Sequence, residues 1–362
     1  MESFDNGFME KIISEGKKHS EKFIGRGKIL VAGKTGIGKS ALINAVFGKE
    51  TCKTGSGVPV TQNIEEFSTP ESLITLVDSK GLELVDYKRI LDDLISYIEN
   101  KNSSDNPYDH INLCWLCVDY QGRRVEDAEI DLHRRLAGIG VKIIVVLTKY
   151  YLPYDKEFEG VVNNKFSTRS IKVNSINVAD ENGSVVVKVR GLEDLVNLTN
   201  DLLPEAQRTA FLAAQRVDKN KKMEVAKNVV HGSSVAAASA AGLNPLPMPD
   251  ATFIIPIQVG MMIGVNKVFN ISTSNLKSLL VPILGPLALG YAGPQLVGFI
   301  VKFVPGLGTI AGGVINASVA ATITETVGMT YVSVVGGLYS ELPLEKITME
   351  EIAKRFKDSS AN

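Results

Sequence analysis

Gly33-Lys34-Thr35-Gly36-Ile37-Gly38-Lys39-Ser40 has the pattern G-x-x-x-x-G-K-[ST], placed between the apolar run Ile29-Leu30-Val31-Ala32 and a helical stretch that opens at Ala41. Few local patterns constrain a chain so tightly. Glycines let successive backbone N–H groups turn inward around phosphate oxygens, and the helix start adds its dipole at the same point. Lys39 then reaches the outer phosphates and Ser40 ligates Mg²⁺. The expected phosphate cradle is Gly33, Lys34, Thr35, Gly36, Ile37, Gly38, Lys39, Ser40 and Ala41.

Downstream of this loop, strand and helix patterns alternate. Strands are expected at Lys28–Ala32, Ile64–Ser68, Leu73–Val77, Ile111–Val118, Lys142–Leu147 and Ser170–Asn174, with helices opening near Lys39, Tyr87, Glu126 and Gly191. Near-continuous apolar runs such as Ile143-Ile144-Val145-Val146-Leu147 are what parallel strands covered on both faces require. The fold class is therefore α/β: a doubly wound, mostly parallel P-loop NTPase sheet, followed by an all-α hydrophobic helical domain. Asp180-Glu181-Asn182-Gly183, between apolar segments, reads as the turn of a small hairpin inserted at the sheet's edge.

A nucleotide switch needs three further parts: a hydroxyl that joins Mg²⁺ when the γ-phosphate is present, an acid that organises the metal, and a base pocket. Thr61, at the end of Val58-Pro59-Val60-Thr61 in the polar segment that follows the P-loop helix, is the candidate hydroxyl. Asp78-Ser79-Lys80-Gly81 follows an apolar strand and fits D-x-x-G, which gives Asp78 to the metal shell and the Gly81 N–H to the γ-phosphate. Lys39, Thr61 and Gly81 are the expected catalytic set, and Ser40, Thr61 and Asp78 the metal set. The next residue is Leu82, so a glutamine that would orient the attacking water is missing there and unaided hydrolysis is expected to be slow.

Thr148-Lys149-Tyr150-Tyr151 stands where [NT]-K-x-D would read the base. Thr148 and Lys149 fit, but Tyr151 replaces the aspartate that would accept from guanine N1 and N2. A neutral phenol makes no charge-assisted bidentate pair, so discrimination against other bases falls. Val173-Asn174-Ser175 supplies backbone and hydroxyl contacts to the same pocket, with Ser175 counted among the binding residues. Arg123 and Arg124 offer transition-state charge to a neighbouring copy, or form an ordinary solvated loop.

The chain has 362 residues, 39 basic and 40 acidic side chains and a net charge of −1, which leaves no global attraction to nucleic acid or anionic lipid. Three cysteines and four histidines form neither a disulfide framework nor a metal-ligand pattern. Cys114 and Cys117 read as buried thiols on a strand. The first residues carry acids rather than a basic start and an apolar core, so a cytoplasmic location is expected, with membrane association through the C-terminal part.

Three domains are expected: an amphipathic helix over 1–26, a nucleotide domain over 27–203 and a hydrophobic helical domain over 204–362. Phe4, Phe8, Met9, Ile12 and Ile13 lie near one face of the first helix, which is expected to pack on the domain that follows it. Residues 204–230 form a charged helical stretch. No charged residue then occurs between Asp250 and Lys267, between Lys277 and Lys302, or between Lys302 and Glu325. Pro256, Pro282, Pro286 and Pro294 argue against straight spans, so Leu279–Val301 reads as two short helices or a re-entrant hairpin. Phe303–Thr324, with Gly313, Ala317 and Ala321 at four-residue spacing, is the better membrane candidate, against a buried core of a soluble domain.

The motif order, with Gly38-Lys39-Ser40-Ala41-Leu42-Ile43-Asn44-Ala45-Val46-Phe47-Gly48, resembles the Era-like branch of translation-factor-related GTPases. Gly191-Leu192-Glu193-Asp194-Leu195, Leu203-Pro204-Glu205-Ala206-Gln207-Arg208, Pro247-Met248-Pro249-Asp250-Ala251 and Val304-Pro305-Gly306-Leu307-Gly308 are similar to bacterial GTPases with a C-terminal hydrophobic helical domain of undetermined function. The immunity-related GTPases of vertebrates are more distantly similar. The resemblance implies GTP/GDP and Mg²⁺ as cofactors; membrane lipid and a second copy, in a homodimer through the GTPase domain, are the further candidate partners. Gly36 stands where potassium-activated relatives carry asparagine, which argues against activation by a monovalent cation. Two functions follow as expectations: a slow GTPase switch that controls membrane association or self-assembly, or a membrane-inserting interaction protein whose degenerate nucleotide domain is structural. A soluble assembly GTPase is a third.

Overall fold

The computed structural model describes residues 6–48, 58–61, 64–68, 73–79, 87–151, 155–168, 170–242, 251–281 and 317–361. They fall into two compact units, one of residues 25–219 and one of residues 1–24 with 220–362.

In the first unit the strands are β1 (Gly27–Ala32), β2 (Val58–Thr61), β3 (Ile64–Phe67), β4 (Ile74–Ser79), β5 (Ile111–Asp119), β6 (Lys142–Thr148) and β7 (Ser170–Lys172). They form one sheet in the order β2-β3-β4-β1-β5-β6-β7. The run from β4 to β7 is parallel, and β2 and β3 add an antiparallel edge. β1 is buried throughout, as its apolar sequence requires of a strand flanked on both sides and covered on both faces. Because β1 lies between β4 and β5, the direction of winding reverses there. Ligands of open α/β sheets bind at the carboxyl ends of the strands beside such a switch point.

The helices of this unit are α2 (Lys39–Phe47), α3 (Tyr87–Asn102), α4 (Asp127–Gly138), α5 (Lys156–Phe166), α6 (Leu192–Leu202) and α7 (Glu205–Ala214). Trp115, fully buried on β5, stacks on Phe47 of α2, meets Phe211 of α7 edge-on, and donates Nε1–H to Thr199 of α6 at 3.0 Å. α7 is thus a helix of the sheet rather than the start of the hydrophobic part, and the unit runs on to Lys219, beyond the boundary expected at 203. Between β7 and α6 the insertion folds into a separate two-stranded sheet, β8 (Val178–Ala179) and β9 (Val185–Val187).

One edge differs from the sequence reading. Val58–Thr61, absent from the strands expected from the sequence, is β2, antiparallel to β3 with Thr61 opposite Ile64. Pro59 is tolerated there because proline is confined to edge strands.

The second unit is helical: α1 (Asn6–Ile24), α8 (Lys219–Gly242), α9 (Ala251–Val268), α10 (Ala317–Glu341) and α11 (Met349–Ala361). α1, expected to pack on the domain that follows it in sequence, belongs instead to this unit and lies along α9. Glycines allow the approach. A Cβ on Gly16 would stand 2.8 Å from Val259 Cγ1, and one on Gly260 would stand 2.8 Å from the Gly16 carbonyl oxygen. Met9, Ile12 and Ile24 are buried on this face, whereas Phe4 and the side chain of Phe8 lie outside the described residues.

Polar pairs cross the apolar interior. Tyr331 on α10 donates to Asn266 Oδ1 on α9 at 3.0 Å, Gln258 donates to Thr324 at 3.3 Å, and the buried Lys222 caps the last turn of α9 at the Val268 carbonyl. Among the described residues one helix, Ala317–Glu341, is long and apolar enough to cross a membrane, and 44% of its most apolar window is buried within the protein. It overlaps only the tail of the expected Phe303–Thr324 span. Residues 303–316 and all but the first residues of Leu279–Val301 lie outside the described residues.

Candidate nucleotide site

β1 delivers the chain to Gly33 at the carboxyl edge of the sheet. Gly33 has φ +145°, and a Cβ there would stand 2.6 Å from the Cys117 carbonyl oxygen of β5, so only glycine fits the turn. Gly36 and Gly38 follow at φ +78° and +102°. α2 opens at Lys39 behind Gly38, so the amides of its first turn face the loop.

Lys39 is 7% exposed, and its Nζ donates to the carbonyls of Gly33 at 2.7 Å and Lys34 at 2.9 Å. The ammonium therefore bridges the mouth of the loop, and 3.7 Å away lies Asp78 Oδ1 at the carboxyl end of β4. The candidate phosphate-binding lysine and the candidate metal-organising acid, 39 residues apart by number, share one small volume. Ser40 is exposed on the first turn of α2. Thr61 closes β2; its side chain, and all of Gly81 and Leu82, lie outside the described residues.

The candidate base-reading segment is tied to the same loop. Thr148 Oγ1, at the end of β6, lies 2.7 Å from the Ile37 carbonyl and 3.1 Å from that of Val118; its single proton serves one of them at a time. Lys149 has φ +54° and pairs through Nζ with Asp119 Oδ2 at 2.8 Å. Asp119 ends β5 directly opposite Thr148, and Gln121 returns to the Lys149 carbonyl at 2.8 Å.

Tyr151 is half-buried at the aspartate position and its backbone N–H bonds the Lys149 carbonyl at 2.8 Å. Its neighbour Tyr150 is packed edge-on against Tyr120 at 4.8 Å, and the Arg190 guanidinium lies 4.1 Å over its ring while donating to its carbonyl at 2.8 Å. Tyr150 N–H bonds the Val173 carbonyl at 3.1 Å, and Ser175 lies two residues further along the chain. Arg123 pairs with Asp155 at 2.5 Å and Arg124 with Glu126 at 2.7 Å, so both arginines have partners on their own chain.

Sequence reasoning missed one acid at the loop's flank. Lys34 forms an ion pair with Glu126, which precedes α4 and is joined to Glu129 by a capping box. Glu129 is 2% exposed; its Oε2 accepts from the Glu126 N–H at 2.9 Å, and burial pushes its carboxyl up to about 7. An acid at the helix N-cap with a glutamate three residues on, the spacing of a capping box, was the available signal. Burial also lifts the Cys117 thiol to about 12 and raises that of Cys114, so both are inert side chains of the core.

Residues 28–149, from the buried Lys28 to the lysine of the base-reading segment, match the family described as 50S ribosome-binding GTPase. This segment is a P-loop GTPase domain. Translocase of chloroplast 90 of Arabidopsis thaliana is 30% identical over 117 residues, which take in 27% of this chain and only 15% of that protein's length. Among solved structures, the probable GTP-binding protein engB is 20% identical over 49% of this chain and 98% of its own, with a TM-score of 0.34. Era of Aquifex aeolicus is 14% identical over 62% of this chain and 70% of its own, with a TM-score of 0.34. The cytosolic domain of the T. maritima FeoB iron transporter in a GDP form covers 85% of this chain and 97% of its own at 14% identity, with a TM-score of 0.31.

Proposed function

We propose that this chain is a Mg²⁺-dependent GTP switch with slow unaided hydrolysis, in which the nucleotide state governs membrane association or self-assembly through the helical unit. The observation that carries the reading is the convergence of Lys39, Asp78 and Thr148 on one loop whose three glycines hold positive φ. Such a donor set fits a nucleotide phosphate chain and its metal. Gly33 to Ala41 would hold the phosphates, with Ser40, Thr61 and Asp78 around the ion, and Thr148, Lys149 and Ser175 at the base and ribose. Bound Mg²⁺ would neutralise phosphate charge during transfer of the γ-phosphoryl group.

The protein's own contribution is positional. Lys39, now satisfied by two carbonyls, would exchange them for phosphate oxygens, a swap of neutral acceptors for charged ones that favours the loaded state. Thr61 and Gly81 would lose their contacts when the γ-phosphate leaves, which frees the segments that carry them. The absence of a glutamine after Gly81 makes turnover slow. Tyr151 supports a second reading, a membrane-inserting protein with a structural nucleotide domain of relaxed base choice, because no acid stands at that position to select guanine.

Liposome flotation separates the two. With the non-hydrolysable analogue GMPPNP and with GDP, a switch redistributes between bound and free fractions, and Lys39→Ala abolishes the difference. Flotation that ignores nucleotide, with phosphate release at the buffer rate, contradicts the switch and favours the structural reading.

A further inference from the structure

The hairpin after β7 is anchored firmly and covered poorly. At its foot Asn174 and Arg190 exchange two backbone hydrogen bonds of 3.1 Å, and Asn174 Nδ2 donates to the carbonyls of Ile176 and Lys188. At its tip Asp180 Oδ1 accepts from the N–H groups of Asn182 and Ser184, both at 2.9 Å, which fixes the turn. Between foot and tip, Ile176, Val185, Val186 and Val189 are 57%, 48%, 59% and 41% exposed. Neighbouring residues of a strand point to opposite faces, so exposure of both Val185 and Val186 means that neither face of β9 is covered among the described residues. β9 pairs with β8 alone, and its other edge meets no strand among the described residues. Isolated apolar edges of this kind recruit another strand.

The hairpin's own charge pattern says which strand. Asp180 and Glu181 make its tip acidic, and Lys188 and Arg190 make its foot basic. An antiparallel pairing about a twofold axis sets the tip of one hairpin against the foot of its copy, so the two ends complement each other twice. Arg190 is committed to Tyr150, which leaves Lys188 as the foot's outward charge.

We propose that β9 pairs edge to edge with β9 of a second copy of this chain, forming a four-stranded sheet that covers the exposed valines and sets Glu181 against the partner subunit's Lys188. The contact is small, so the dimer is reversible and concentration-dependent. It names a surface for self-association and requires no bound nucleotide, so it stands or falls apart from the switch.

Sedimentation velocity of the full chain without nucleotide, across the micromolar range, tests it. The wild type shows a monomer–dimer equilibrium, Val186→Asp abolishes it, and Glu181→Lys or Lys188→Glu alone weakens it by about tenfold or more, whereas the double exchange restores it to within about threefold. All three positions are exposed, and unchanged Trp115 fluorescence verifies the fold. A wild type that stays monomeric, a dimer indifferent to Val186→Asp, or a double exchange that fails to restore association overturns the proposal.

Discussion

Thr148 Oγ1 and the carbonyl oxygen of Ile37 stand 2.7 Å apart in the interior, a bond that ties the candidate base-reading segment at the end of β6 to the glycine-rich loop after β1. Neither motif is free to move alone. Thr148→Val keeps the shape and removes the donor, leaving the carbonyl acceptors of Ile37 and Val118 without it in a buried site. Such a loss costs about 1–3 kcal/mol. Denaturant unfolding followed by Trp115, the chain's single tryptophan, should show it, together with weaker nucleotide binding.

Glu129 sets a pH dependence of definite sign. Its folded pKa, about 7, lies above the ordinary 4.5 because burial disfavours the charged form, so the folded state holds a proton that the unfolded state gives up. The resulting stability is complete below about pH 4.5 and is lost as pH rises through about 7. On the order of 3 kcal/mol is at stake. Glu129→Gln keeps an acceptor for the Glu126 N–H and cannot ionise; its advantage over the wild type should grow by roughly 2–3 kcal/mol between pH 5 and pH 8. An advantage that is constant across that range contradicts the assignment.

Tyr151 is the position where one substitution should add selectivity. Tyr151→Asp places a carboxylate at the end of the base-reading segment, and a charge-assisted pair with guanine should raise the preference for GTP over ATP by about tenfold or more. Competition titrations on both proteins measure it. An unchanged ratio would mean that Tyr150, held by Arg190 and Tyr120, carries the backbone along a different path from the one that reads the base.

Gly16 and Gly260 set how closely α1 approaches α9. Gly260→Leu drives a side chain into the Gly16 carbonyl and His19 Cβ, each within 2.8 Å of the new Cβ alone, and overpacking of this kind costs about 1–3 kcal/mol. Limited proteolysis should release α1 early in the variant. Trp115 fluorescence should not change, because the indole lies in the other unit.

The sheet was legible because its central strands are buried on both faces and so spell continuous apolar runs, as in Ile143 to Leu147. β2 was not: Pro59 interrupts its two valines, so it carries no continuous apolar run, and pairing with β3 is what makes the segment a strand. The phosphate loop announced itself through glycines whose positions are dictated by backbone angle. Glu129 and Asp119 did not stand out, since an acid near a strand or helix end is ordinary until burial or a lysine partner gives it a role. The packing of α1 on α9 was hidden for another reason. Gly16 and Gly260 are far apart in the chain, and nothing local to either marks the other as its neighbour.

Isothermal titration of GTP, GDP and ATP in the presence of Mg²⁺, on the wild type and on Lys39→Ala, tests the central claim most directly. The wild type should bind GTP and GDP, with ATP disfavoured less than a carboxylate at position 151 would allow, and Lys39→Ala should weaken binding by about a hundredfold or more, since a buried charged partner of the phosphates is lost. Folded wild-type protein that takes up none of the three, or a Lys39→Ala variant that binds as tightly as its parent, would contradict the account.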